Sequence, residues 1–316
     1  MTITKLAWRD LVPDTESYQE LFAQPDLAKE HEFILSDTQP RLHYALEQVL
    51  SPWATAPFML LKAPEEAEYL TLFGDAVRQL KPEANAVFGG QYRIAGHDVT
   101  FEPAAQADGL FAAKGEVITA NWVEAEQLFG CLRQFNGELS LQPGLVHRAN
   151  GGVLIISLRT LLSQPLLWMR LKTIVHQQVP SMPLSLTVVL TGDRESLADF
   201  QEMEPELAEQ AVYSEYEDNI QIADADDMAQ WCQWVMAVAE RFALPTPAAD
   251  AWPGLIREAV RYTGDQETLP LCPLWIGKQL REVGVVSGSG AFSGEQLTQM
   301  LAQREWREGY LADRMQ

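Results

Sequence analysis

The sequence predicts an α/β fold: a three-layer α/β sandwich on a mainly parallel sheet, followed by a small all-α domain. Three observations predict it. Gly152-Val153-Leu154-Ile155-Ile156 and Leu186-Thr187-Val188-Val189-Leu190 are continuous apolar runs rich in β-branched residues, the pattern of strands buried on both faces of a parallel sheet. Between them Leu158, Leu161 and Leu162, then Leu167, Met169, Leu171 and Val175, read as a helical stretch interrupted at Pro165, so strand and helix alternate. After Gln221 the strand signals largely stop, and Met228, Trp231, Cys232, Val235, Val238, Ala239 and Phe242 recur at three- and four-residue steps as one apolar helix face.

In chain order, residues 1–50 read as a polar, helical lead-in, with Leu42, Ala45, Leu46, Val49 and Leu50 at helical spacing before the breaker Ser51-Pro52. The α/β domain then spans residues 51–222. Phe58-Met59-Leu60-Leu61 is its first strand, Pro64 ends the run, and Ala67, Leu70, Phe73, Val77 and Leu80 mark a helix up to Pro82. Three weaker strand signals follow, Tyr92-Arg93-Ile94, Asp98-Val99-Thr100-Phe101 and Gly115-Glu116-Val117-Ile118, whose order in a sheet the sequence does not disclose. Asn136-Gly137 lies between alternating runs, and a type I′ turn wants φ > 0 at both central residues, so 132–141 reads as a β-hairpin. The helical domain covers residues 223–316. Its later helices are Gly254–Thr263, Leu274–Val283 and one opened by Ser293, whose spacing to Gln296 fits a capping box; Gly284 to Gly294 reads as a Gly/Ser-rich connector.

Composition narrows the function. At roughly 100–200 residues per domain, 316 residues predict about two domains. Forty-four acidic against 23 basic side chains leave a net charge of −21, so nonspecific nucleic-acid binding is disfavoured. The longest apolar run, Gly151 to Leu158, falls far short of the ~20 residues that span a bilayer, which argues against a membrane protein. Cys131, Cys232 and Cys272 are widely spaced without a CxxC, and the opening MTITKLAWRD lacks the apolar centre of a signal peptide, so the expected address is cytoplasmic. His31, His43, His97, His147 and His176 are scattered, and no metal site is expected.

A parallel α/β sheet followed by helices is a common frame for nucleotide. Cradling a triphosphate takes a Gly-rich loop that turns N–H groups inward, a Lys, and a hydroxyl for magnesium. No GxxxxGK[ST] occurs in this chain. After the first strand it reads Lys62-Ala63-Pro64-Glu65-Glu66-Ala67-Glu68, a proline and three carboxylates where donors would be needed. Where an ATPase strand would end in an acidic pair, the chain has Ser157-Leu158. No Ser/Lys or Ser/His pair has a recognisable nucleophile context, so no catalytic residue is assigned.

The stretch Leu128-Phe129-Gly130, then Pro143-Gly144-Leu145-Val146-His147-Arg148-Ala149-Asn150-Gly151-Gly152-Val153-Leu154, resembles the segment leading into the Walker B strand of Lon-related proteases of the AAA+ class. The resemblance continues through Leu161-Leu162-Ser163-Gln164-Pro165, Leu190-Thr191-Gly192-Asp193-Arg194, Tyr262-Thr263-Gly264-Asp265-Gln266-Glu267 and Leu280-Arg281-Glu282. It covers roughly 120–316 and, more weakly, 30–80, where Gln39-Pro40-Arg41-Leu42 is similar to the family's lead-in helix. It implies an AAA+-like fold with a helical lid, ATP and magnesium as cofactors, a hexamer, and a Ser–Lys protease domain after the lid.

Position by position the chain departs from that pattern. The Walker A turn corresponds to Pro64, Glu65 and Glu66, the Walker B acidic pair to Ser157 and Leu158, and the sensor-2 arginine falls near Cys272; Thr191 alone matches, at sensor 1. An arginine finger would lie in the helix after the sensor-1 strand, yet no Lys or Arg occurs from Glu195 to Glu240, where thirteen residues are acidic. The expectation is a pseudo-ATPase that binds no ATP or magnesium and serves substrate recognition, assembly or positioning in protein degradation. Phe135 at the hairpin tip is the candidate for gripping polypeptide, against an ordinary surface hairpin. His147 and Arg148 are expected to shape the approach to a core strand, and Trp231, Trp234, Trp252 and Trp275 to pack a core rather than stack bases. The acidic tract is a solvated surface or a landing site for a basic protein. Two other readings stay open: a stand-alone interaction scaffold without enzymatic activity, and a rearranged pocket that still takes nucleotide.

Overall fold

A computed structural model describes residues 14–28, 32–81, 90–95, 98–103, 115–177 and 184–310. The opening ten residues, His31 and His97 lie outside them. The chain forms two compact units, Gln39–Tyr216 and the combination of Met1–Thr38 with Glu217–Gln316. The lead-in expected over 1–50 is thus divided: the short helices α1 (Gln19–Phe22) and α2 (Leu35–Thr38) belong to the second unit, and α3 (Pro40–Leu50) to the first. Pro40 opens α3 at a position where its missing N–H costs nothing, so the helical reading breaks there rather than running through. The boundary expected at 222/223 falls at 216/217.

The Gln39–Tyr216 unit is built on a five-stranded sheet in the order β4-β7-β8-β1-β9, every pairing parallel. Its strands are β1 (Phe58–Lys62), β4 (Val117–Ala120), β7 (Val153–Ser157), β8 (Thr187–Gly192) and β9 (Val212–Glu215). Two antiparallel hairpins are inserted, β2 (Gly90–Ala95) with β3 (Asp98–Pro103) and β5 (Cys131–Phe135) with β6 (Glu138–Gln142). The helices are α4 (Ala67–Leu80), α5 (Ala125–Phe129), α6 (Leu145–Arg148), α7 (Leu158–Ser163), α8 (Pro165–Gln177), α9 (Arg194–Met203) and α10 (Pro205–Gln210).

Side chains alternate across the sheet, so each strand feeds two cores. Phe58, Leu60, Leu154, Ile156, Val188 and Leu190 pack with Trp168 and Leu171 of α8, Phe200 of α9 and Leu207 of α10. Phe58 and Phe200 meet Trp168 edge-on, with centroids 5.9 and 5.1 Å away, a geometry worth about 0.5–1.5 kcal/mol per pair beyond burial. Met59, Leu61, Val153, Ile155 and Val189 point the other way, where α4 lies against β4 and β7 and α3 against β9. The three layers follow. Along the outer strand β4, Arg78 of α4 donates its Nη2 to the Val117 carbonyl at 3.2 Å.

In the second unit α11 (Ala225–Arg241), α12 (Trp252–Thr263), α13 (Pro273–Ser287) and α14 (Gly294–Glu308) are joined by a small antiparallel pair, β10 (Asn219–Gln221) with β11 (Thr268–Pro270). Asp224 caps α11 by accepting from the N–H groups of Asp226 and Asp227, and Gly264 ends α12 at φ 73°. The Ser293–Gln296 capping box is present in both directions, at 3.2 and 2.9 Å. Trp231, Trp234 and Trp252 are core residues, and the Trp231 indole donates to the Pro270 carbonyl at 2.9 Å, tying α11 to β11.

Two expectations change here. β10 and β11 are three residues each, too short for a period-2 signal to register. The connector expected from Gly284 begins only after Ser287, because Gly284 sits inside α13, where a Cβ would come within 3.1 Å of the Pro245 ring. Among the described residues no helix is long and apolar enough to cross a membrane.

Candidate functional site

Parallel strands deliver their carboxyl ends to one edge of the sheet, and ligands of open α/β sheets bind outside that edge. Here the edge carries Lys62 on β1, Ser157 on β7 and Thr191-Gly192 on β8, with Leu61 and Ser157 both paired in register to Thr191. The turn after β1 is held to β8 by the Ala63 N–H, which donates to the Gly192 carbonyl at 3.0 Å.

That turn brings Glu65 inward. Although it is a carboxylate, Glu65 is only 6% exposed. The Ser157 hydroxyl donates to its Oε1 at 2.6 Å, the Arg159 backbone N–H donates to the same oxygen at 2.9 Å, and the Arg159 guanidinium stands 3.5 Å from Oε2. The positions expected to correspond to the Walker A turn and the Walker B strand are therefore joined, by a side chain of the chain itself. Pro64 is half-buried beside it, and Glu66 is exposed at the start of α4 without a side-chain cap bond.

The other expected positions differ in their surroundings. Leu158 is fully buried and packs on Gly192, where a Cβ would meet the Leu158 side chain at 3.0 Å, so it is a core residue with no chemistry to offer water. Lys62, at the end of β1, pairs with Glu215 at 3.0 Å, and Tyr213 donates to the other Glu215 oxygen at 2.8 Å. The Tyr213 hydrogen bond, followed by Lys62, holds the Glu215 carboxyl below its ordinary value, while burial and Glu215 push the Tyr213 phenol up to about 12. Thr191 is 0% exposed, and its hydroxyl has no hydrogen-bond partner among the described residues. Cys272 belongs to the other unit, where its sulfur accepts from the Trp275 N–H at 3.3 Å and caps α13. The Ser157 hydroxyl and the Arg159 N–H, donors that could serve a phosphate, are both taken by the Glu65 carboxylate.

The hairpin β5–β6 stands apart. Asn136 and Gly137 turn it at φ 51° and 86°, as the type I′ expectation requires. Leu132, Phe135 and Leu139 are exposed along it, Phe135 by 76%. The hairpin is rooted by glycines: a Cβ on Gly130 would lie 2.2 Å from the Gln142 carbonyl, and one on Gly144 2.3 Å from that of Leu128.

From that root to β7 the resemblance motif is spent on structure. The Gly144 N–H donates to Nδ1 of buried His147 at 2.9 Å, and Arg148 reaches Glu116 at 3.0 Å. Asn150 accepts from the Ser185 N–H at 2.8 Å, Gly151 turns at φ 78°, and Gly152 lies so close to the Glu116 carbonyl that a Cβ would be 2.2 Å away. Burial, aided by the Arg170 charge, lowers the His147 pKa to about 4.

Comparison with known proteins places this architecture. A family described as the LonB-like AAA domain matches residues 114–181, the stretch that holds β4, the hairpin, the rooted motif and β7. A Lon protease homologue of Escherichia coli (strain K12) is 61% identical over 332 aligned positions, covering 100% of this chain and 57% of that protein. Together these matches support a Lon-related AAA-like module in this chain. A Lon protease homologue of Haemophilus influenzae is 35% identical over 210 positions, covering 59% of the module's chain and 35% of its own. The chain thus spans 57% of the first relative's length, and its match spans 35% of the second's. Among solved structures, NtrX from Brucella abortus aligns with a TM-score of 0.48 at 13% identity, over 86% of this chain and 55% of that one.

Sequence reasoning placed the departures of the module at Pro64, Glu65, Glu66, Ser157 and Leu158, and the structure brings Glu65 and Ser157 into contact. It missed that Glu65 turns inward, and it missed the Tyr213–Glu215–Lys62 group. The available signal was Pro64, which fixes the backbone just ahead of Glu65.

Proposed function

We propose that this Lon-related module acts in protein degradation without hydrolysing ATP, presenting its β5–β6 hairpin to polypeptide clients and contributing to a homo-oligomeric, by family analogy hexameric, assembly. The observation that carries the reading is the Glu65 carboxylate, buried and bonded to Ser157 where a hydrolysing relative would hold phosphate and magnesium. Losing the glycine loop, the lysine, the acidic pair and the arginines together leaves nothing to offset a triphosphate's charge. What remains suited to work is the hairpin, whose exposed Phe135 on one face and Leu132 and Leu139 on the other offer apolar contacts in an acidic molecule. Clients with basic segments are favoured by the net charge of −21.

Calorimetric titration with Mg-ATP tests the nucleotide half. The expected result is no binding heat and no shift in the unfolding midpoint, whereas a ligand at a hundredfold excess over Kd would stabilise by ~2.7 kcal/mol. Micromolar affinity would sink the reading. A photo-crosslinker at position 135 tests the other half, labelling an unfolded client in the native protein and losing it when Leu132 and Leu139 are made polar.

A further inference from the structure

We infer that Glu65 is a tethered ligand: its carboxylate fills a small-oxyanion site whose donors are the Ser157 hydroxyl, the Arg159 backbone N–H and the Arg159 guanidinium. The inference rests on the proposed nucleotide-free reading and deepens it by naming what occupies the site instead.

The geometry is that of a held anion rather than of an incidental contact. Two donors converge on one oxygen, Oε1, at 2.6 and 2.9 Å, while the second oxygen faces the guanidinium at 3.5 Å. Short charge-assisted bonds of this kind are how proteins hold carboxylate and phosphate oxygens alike. Burying a carboxylate to 6% exposure is costly unless donors meet it, so the donors and the acid are matched to each other. One hydroxyl in register with Ser157 is left unpaired: that of Thr191, fully buried, has no partner among the described residues. Ser157 and Glu65 lie 92 residues apart in sequence, so the ligand joins the turn after β1 to the junction of β7 and α7.

A tethered ligand differs from a plain structural tie in one measurable way: when it is cut off, a free anion can take its place. In the intact protein, Glu65→Ala is expected to lower the thermal midpoint by several degrees. Sodium acetate or inorganic phosphate at tens of millimolar should recover much of the loss, while sodium chloride at matched ionic strength does not and the native protein gains nothing. An unchanged midpoint in Glu65→Ala, or an equal anion response in native and variant protein, would overturn the inference. Should Glu65→Ala not fold in buffer, folding restored by acetate supports it. Glu65→Gln supplies the independent check: it keeps a neutral acceptor and removes the charge, so it should melt below the native protein and ignore acetate. A Gln variant as stable as the native protein overturns the inference. Mg-ATP binding by the native protein would defeat both this inference and the proposed function, whereas absent anion rescue without ATP binding defeats only this one.

Discussion

His147 shows how one residue of a family motif serves folding. Its ring is buried and accepts the Gly144 N–H at Nδ1, a bond that only the unprotonated nitrogen can take. Burial, with the Arg170 charge, lowers its pKa from 6.5 to about 4. Between those two values the unfolded chain binds a proton that the folded one refuses, so folding stability falls as pH drops through that window. The loss approaches about 3 kcal/mol, taking 1.36 kcal/mol per pKa unit. Denaturant unfolding measured from pH 7 to pH 4 should show this decline, and His147→Gln, which keeps an acceptor and cannot titrate, should flatten it. Glu65 teaches the complementary lesson. That a carboxylate follows the proline in the turn after β1 was legible from the sequence. That it points inward was not, because its partners Ser157 and Arg159 lie more than ninety residues away and no local pattern links them.

Among the elements, those with strong local patterning were readable and those defined by long-range pairing were not. The runs around Val153 and Val188 became β7 and β8, Asn136-Gly137 became the hairpin turn, and Ser293 with Gln296 became the cap of α14. The weak strands from 90 to 120 had no readable order, since only pairing makes β2 and β3 a separate hairpin and sends β4 to the rim of the main sheet. The hairpin's glycines sort by what surrounds them. Gly130→Ala would put a Cβ 2.2 Å from a backbone carbonyl at φ 82°, whereas at Gly137, φ 86°, nothing lies within 4 Å. Gly137→Ala should therefore cost about 1–2 kcal/mol from backbone conformation alone. Gly130→Ala should cost clearly more, because the hairpin root itself must shift; equilibrium unfolding of the two variants makes the comparison.

For the molecule as a whole, charge and architecture were the most accessible properties. Alternating strand and helix signals led to the three-layer sheet unit, and the loss of strand signals after Gln221 to the helical one. The division at Thr38 was hidden, because a helix-forming lead-in looks the same whichever unit receives it. With 44 acidic and 23 basic side chains, the acidic surface should draw basic unfolded peptides by steering. A lysine-rich unfolded peptide is expected to bind more tightly than an aspartate-rich one of equal length. That preference should shrink as salt rises from about 50 to 300 mM, as the screening length falls below ~10 Å. A preference that ignores salt would place recognition in the apolar hairpin alone.

The guanidinium that Arg78 lays on the Val117 carbonyl has a wider meaning. A strand at the rim of a sheet is an open template, and the usual hazard is recruitment of a neighbouring molecule into runaway stacking. β4 is four residues long and already has one of its outward acceptors plugged by that cation, which makes it poor seed material for aggregation.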